Sequence, residues 1–275
     1  MTRAAAALAA LILMGAAKPP ADVRAFEVVL TPDFDAKTVS GRERVEFTGG
    51  SLSFTAPALD LSDVRLDGRP AHLRREGERL TLDAGSGAHV LTLAFSGKPR
   101  RGLTFAGDFV WSSYFACDWM VCDQDAPGDK ATISIRLILP EGMDGVTSSG
   151  RAAVSPHLFG FAAGRLRSKA LGQGLRAFAP AGSAADLGKL FGPTAEMAAF
   201  FAEKAGAPLP YGGYDQVLVP GQEAQEAASF SLLGEETLTP MLVDPSEDWA
   251  IAHELSHPWW GNAVTCADWS EFWLS

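Results

Sequence analysis

Over the first two thirds of the chain, apolar and polar residues come in short runs with partial alternation. Residues 26–30 (Phe-Glu-Val-Val-Leu), 44–47 (Arg-Val-Glu-Phe), 80–82, 90–95 and 133–139 all have this character. A period of two puts one set of side chains on each face of a strand, so these runs predict half-buried strands. Turn signals separate them, notably Asp67-Gly68-Arg69-Pro70 and Gly85-Ser86-Gly87. Many short strands at this spacing predict an antiparallel, sandwich-like domain over residues 22 to about 180.

The pattern then changes. Gly192-Pro193 opens a helical period that passes through Met197, Phe200 and Phe201 and stops at Gly206. Proline suits the first helical position and glycine the position after the last. Residues 214–220 read as a strand. Asp244-Pro245-Ser246-Glu247 then has the composition of a helix start, with Asp244 at the N-cap and Glu247 three residues on in a capping box. The fold class is therefore α+β. The expected division is a leader segment over 1–17, an N-terminal β domain over 18–185 and a second, helix-containing domain over 186–275.

The second predicted helix carries His253-Glu254-Leu255-Ser256-His257. Residues four apart share a helix face, so both imidazoles can meet one ion. The continuation is Pro258-Trp259-Trp260-Gly261-Asn262-Ala263-Val264-Thr265, and Trp269, Trp273 and Leu274 come after it. This extended motif resembles the gluzincin zinc aminopeptidases, peptidase family M1. The resemblance implies an N-terminal saddle-shaped β domain followed by a thermolysin-like catalytic domain. It implies Zn²⁺ as cofactor, His253 and His257 as two of its ligands, and Glu254 as the general base that takes a proton from a zinc-activated water. Peptides would be the substrates, hydrolysed from their N-termini. The third ligand of the family is a Glu separated from the second His by eighteen residues, which falls at position 276, one past Ser275. The expectation is that the polypeptide as given is inactive.

Two further segments resemble the family. Tyr114-Phe115-Ala116-Cys117-Asp118, with Asp129-Lys130-Ala131-Thr132 and Leu139-Pro140-Glu141-Gly142, is similar to the FPCFDEP…KATF…VP stretch of its β domain. Glu223-Ala224-Gln225-Glu226-Ala227-Ala228 stands where the exopeptidase motif GAMEN would be. On that match Glu226 would bind the substrate's α-ammonium, with Glu223 as the competing position. The Met and Asn of the motif are replaced here by Gln225 and Ala227. Two other readings stay open: a zinc endopeptidase without N-terminal recognition, and a non-catalytic, family-derived module that binds peptide or protein. One departure is local. Pro258 comes directly after the second His, and it should end or kink the helix at His257.

Composition refines this picture. The 275 residues are 47% hydrophobic and 20% charged, with a formal charge of −10. An acidic chain without a basic run excludes nucleic acid as the expected partner. Met1-Thr2-Arg3 precedes an apolar run over residues 4–17 that closes on Gly15-Ala16-Ala17. This is the pattern of a secretory signal peptide cleaved after Ala17, the alternatives being an uncleaved anchor or a buried helix. Fourteen apolar residues fall short of the roughly twenty that span a bilayer. No transmembrane segment is expected after cleavage, and the expected location is periplasmic or secreted. Of three cysteines, Cys117 and Cys122 would form a small disulfide or stay as buried thiols.

Overall fold

A computed structural model describes residues 20–150 and 152–274. The predicted signal peptide lies outside the described residues. The N-terminal strands form a six-stranded sheet in the order Thr132–Leu137, Asp22–Asp33, Thr38–Thr48, Ala88–Gly97, Leu59–Leu66, Arg69–Pro70. All its pairings are antiparallel except Asp22–Asp33 with Thr132–Leu137. Alternation turns Phe26, Val28 and Leu30 inward from one strand, and Val45 and Phe47 from the next. There they meet Leu52, Phe54, Leu80 and Leu82 of a three-stranded sheet built from Ser51–Thr55, Arg79–Asp83 and Arg74–Glu76. The predicted sandwich-like packing is present. Asp67 and Gly68, at φ 52° and 76°, close the hairpin between Leu59–Leu66 and Arg69–Pro70. Two consecutive left-handed residues give the turn whose twist matches the strands it joins. Pro70, which lacks an N–H, sits on the last strand of the sheet.

Two further sheets stack beyond these. One has four strands, in the order Asp144–Thr147, Phe161–Gly164, Phe109–Ser112, Leu103–Ala106. The other has five: Leu166–Gly172, Leu175–Pro180, Tyr214–Val219, Phe230–Gly234, Ala224–Ala227. The central three strands of the five-stranded sheet run parallel and are covered on both sides. Phe178, Val217, Val219 and Leu232 pack on Phe109, Trp111 and Ala162 of the four-stranded sheet. Their neighbours Ala177, Ala179, Leu218 and Leu233 pack on Leu187, Leu190, Phe191, Ala250 and Ile251 of the helical layer. Burial on both faces explains why Val217-Leu218-Val219 and Leu232-Leu233 read as continuous apolar runs.

The change of sheet precedes the change of composition. A boundary at residue 185 would sever Leu166–Gly172 and Leu175–Pro180 from the five-stranded sheet to which they hydrogen-bond. Composition shifts only where the helices begin, so it marks the first helix and not the first strand of the second layer.

The helix Thr194–Ala205 ends as predicted, with Gly206 at φ 65° and its N–H bonded to the carbonyls of Ala202 and Glu203. The helix Trp249–Ser256 begins later than predicted. Asp244 is not its cap. Its Oδ1 accepts from the Ser246 amide at 2.9 Å and the Ser246 hydroxyl at 2.7 Å, closing a separate turn. Residues 244–247 are exposed, so no apolar contact rewards helix there. The helix starts where Ala250 and Ile251 reach the core.

Candidate metal centre

Ile251 and Leu255 are fully buried and dock the helix Trp249–Ser256 on its neighbours. This turns His253, Glu254 and His257 towards one another, with ligand atoms mutually within 4.8 Å. The two imidazoles present Nε2 to Nε2 at 3.3 Å. Two nitrogens each about 2.0–2.1 Å from one tetrahedral ion stand about 3.3 Å apart, so the spacing is that of two ligands on a zinc ion. Two bare imidazole nitrogens gain nothing from facing each other unless a cation or a proton lies between them. The donor set fits Zn²⁺.

The helix stops at Ser256, and His257 is its C-cap, as Pro258 requires. The loop beyond the helix fixes the second imidazole. The Trp260 carbonyl lies 3.1 Å from His257 Nδ1. A carbonyl only accepts, so Nδ1 carries the proton and Nε2 keeps its lone pair for metal. Gly261 makes this possible. Its φ is 114°, and a Cβ there would lie 2.8 Å from His257 Nδ1. The Thr265 hydroxyl donates to the carbonyls of Gly261 at 2.6 Å and Asn262 at 2.9 Å. The motif residues Gly261, Asn262 and Thr265 therefore build the loop that aims His257.

Glu254 is 2% exposed, and its Oε2 is buried without a hydrogen-bond partner. Burial, with the nearby charge of Glu226, pushes its carboxyl up to about 8. This unpartnered buried oxygen beside two imidazole nitrogens fits a site that takes a metal cation, whose charge would hold the carboxyl ionised. The Tyr214 hydroxyl donates to the Glu254 carbonyl at 3.0 Å and steadies the helix at this turn. Partial burial and then the His257 ring hold the His253 imidazole below its ordinary range, which favours the neutral, metal-binding form.

Glu226 lies on the edge strand Ala224–Ala227, in register opposite Ser231. Its Oε2 is 4.0 Å from His257 Nε2. The strand thus brings Glu226 to the His pair across 31 residues of sequence. Glu223 precedes the strand, half-buried, with its carbonyl bonded to the Gly234 amide. Three contacts escape a reading of the sequence. The Tyr114 hydroxyl donates to Glu226 Oε2 at 3.0 Å. Asn262 Nδ2 donates to the Ala227 carbonyl at 3.4 Å, joining the His257 loop to the Glu226 strand. Lys130 Nζ donates to the carbonyls of Asn262 and Ala263 at 3.0 and 2.9 Å. Tyr114 and Lys130 stand in segments that carry the family resemblance, but nothing in the spacing says which partner each one meets.

A helix-borne pair of imidazoles with an adjacent carboxylate thus stands against a mixed sheet. Residues 191–275 match the Peptidase family M1 domain. Mouse aminopeptidase B is 30% identical over 222 residues, covering 71% of this chain and 32% of that protein. Leukotriene A-4 hydrolase of Xenopus laevis is 36% identical over 75 residues, 27% of this chain and 12% of that one. Among solved structures, the M1 zinc metallopeptidase of Deinococcus radiodurans superposes with a TM-score of 0.80 at 22% identity, over 93% of this chain and 67% of that one. Native yeast LTA4 hydrolase gives 0.80 at 22%, over 92% and 46%. These matches make the chain similar to peptidase family M1, through its C-terminal segment in sequence and over most of its length in fold. The chain spans about a third of the length of the aminopeptidase B relatives it matches.

Proposed function

We propose that the intact protein carrying this chain is a zinc-dependent aminopeptidase. The observation that carries the reading is the pair of Nε2 atoms at 3.3 Å, with two buried carboxylates near it: Glu254 on the same helix and Glu226 on the edge strand. Zinc, when bound, supplies Lewis acidity that polarises a peptide carbonyl and makes a water acidic near neutral pH. The chain's own residues do the rest. His253 and His257 would hold the ion through neutral Nε2 atoms. The Glu254 carboxylate receives the water's proton and passes it to the departing amine. Glu226 offers a negative charge to the α-ammonium of the substrate, which sets the register of the first peptide bond against the reacting carbonyl. The similarity to aminopeptidase B supports exopeptidase action over the endopeptidase alternative.

Export belongs to the same proposal. The N-terminal signal-like sequence and the Cys117–Cys122 disulfide, with Cα atoms 5.0 Å apart, support a periplasmic or secreted protein, because such bonds persist in oxidising compartments. Among the described residues, no helix is long and apolar enough to cross a membrane.

The test is hydrolysis of aminoacyl arylamides by the intact protein before and after chelation, beside Glu254→Gln and His253→Ala. Glu254→Gln should keep zinc and lose turnover by at least about a hundredfold, as general-base loss does. His253→Ala should lose both. Near-normal kcat in Glu254→Gln refutes the role of Glu254.

A further inference from the structure

We propose that Tyr114 is a positioning residue for N-terminal recognition: its hydroxyl orients the Glu226 carboxylate that receives the substrate's α-ammonium. This rests on the reading of Glu226 given above. Tyr114 belongs to the loop after the strand Phe109–Ser112, 112 residues before Glu226. Its hydroxyl is 3.0 Å from Glu226 Oε2. A carboxylate only accepts, so the phenol gives the proton. The same Oε2 faces His257 Nε2 at 4.0 Å. The phenol thus fixes which carboxylate oxygen turns towards the His pair, and Oε1 is committed to neither contact.

Glu226 is 8% exposed and Tyr114 41% exposed, so the carboxylate is the more deeply placed of the two. The loop carrying the phenol is held. The Ser113 amide donates to the Gly102 carbonyl at 2.9 Å. The Arg101 guanidinium stacks 4.4 Å over the Phe115 ring and pairs with the buried Asp118. The disulfide Cys117–Cys122 closes the loop behind it. Withdrawal of the hydroxyl from water, then the charges of Glu226 and Glu254, keep the phenol proton firmly in place, so it remains a donor. An oriented carboxylate binds an ammonium without first losing its own rotational freedom. The substrates affected are peptides and amino acid derivatives with a free α-ammonium, and the contribution comes from the β layer of the fold.

The experiment measures kcat and KM of the intact protein on a free-amine arylamide and its N-acetylated counterpart. It compares Tyr114→Phe, Glu226→Gln and the double variant, with zinc content determined for each. Tyr114→Phe keeps the ring and removes only the donor. It should raise KM for the free-amine substrate about tenfold, a share of what a hydrogen bond to a charged group is worth. kcat should stay within about twofold, zinc should be retained, and the double variant should be no worse than Glu226→Gln alone. An effect of Glu226→Gln without one of Tyr114→Phe overturns the role of Tyr114 and leaves that of Glu226 standing. No effect of either variant overturns the reading of Glu226, and this inference with it. A fall in kcat with loss of zinc in Tyr114→Phe reduces the residue to scaffolding and also overturns the proposal.

Discussion

Replacing Glu43 by glutamine should flatten the pH dependence of stability. Glu43 lies on the strand Thr38–Thr48, paired opposite Leu93 and Val28. It is 2% exposed, and its Oε2 accepts the Val121 amide at 2.9 Å while Oε1 has no partner. Burial pushes its carboxyl up to about 8, against a smaller opposing pull from the Val121 N–H. In an unfolded chain the group titrates near about 4.3. The folded value is the higher one. The stability this group contributes is therefore complete below the unfolded value and is lost as pH rises towards the folded one. In that window the native state holds one more proton than the unfolded state, and each pH unit costs about 1.4 kcal/mol. Between pH 5 and 7 the loss is about 2–3 kcal/mol. Glutamine keeps an oxygen for Val121 and does not titrate. Its NH₂ would take the unpartnered Oε1 position at a cost of about 1–3 kcal/mol that is independent of pH. Urea melts of both proteins at pH 5, 6 and 7 should show Glu43→Gln gaining about 2–3 kcal/mol on the parent over that range, whatever their difference at pH 5. Hydrogen exchange at the Val121 amide should show the same trend. A constant difference across the three pH values would refute the reasoning, because all other titrating groups are common to both proteins.

Two more expectations bear on the site and its support. Gly261→Ala should weaken zinc binding by about 10–100-fold, the usual scale for disturbing a ligand's support, because the new Cβ would press on His257 Nδ1 from 2.8 Å. Competition with a chelator measures it, and unchanged affinity would show that the ring accommodates the methyl group. Breaking the Cys117–Cys122 link by a double Cys→Ser change should cost about 2 kcal/mol of stability, the loop-closure value for so short a ring. Thermal melting under oxidising conditions tests this, and an unshifted midpoint would mean that the loop is held by its packing alone.

The sequence carries what is local. HExxH needs only helical geometry to place two imidazoles on one face, and the structure sets their Nε2 atoms 3.3 Å apart. Asp67-Gly68 names its turn because few residues tolerate two successive left-handed conformations, and Gly206 and Pro258 name helix ends for reasons of the same kind. Asp244 shows the limit of such local signals. Its capping chemistry is real and satisfied, yet it closes a turn, because helix there would bury nothing. Glu43 falls just outside the predicted run 44–47, and only the tertiary packing makes it an interior position. Whether Cys117 and Cys122 pair was likewise open until the loop brought their Cα atoms to 5.0 Å. Tyr114 and Lys130 reach Glu226 and the Asn262 loop across 112 and 132 residues. No periodicity encodes such contacts, since they arise only when separate sheets pack and their loops converge. The imidazole pair was therefore determined by helical spacing within five residues, while its surroundings were decided by tertiary packing.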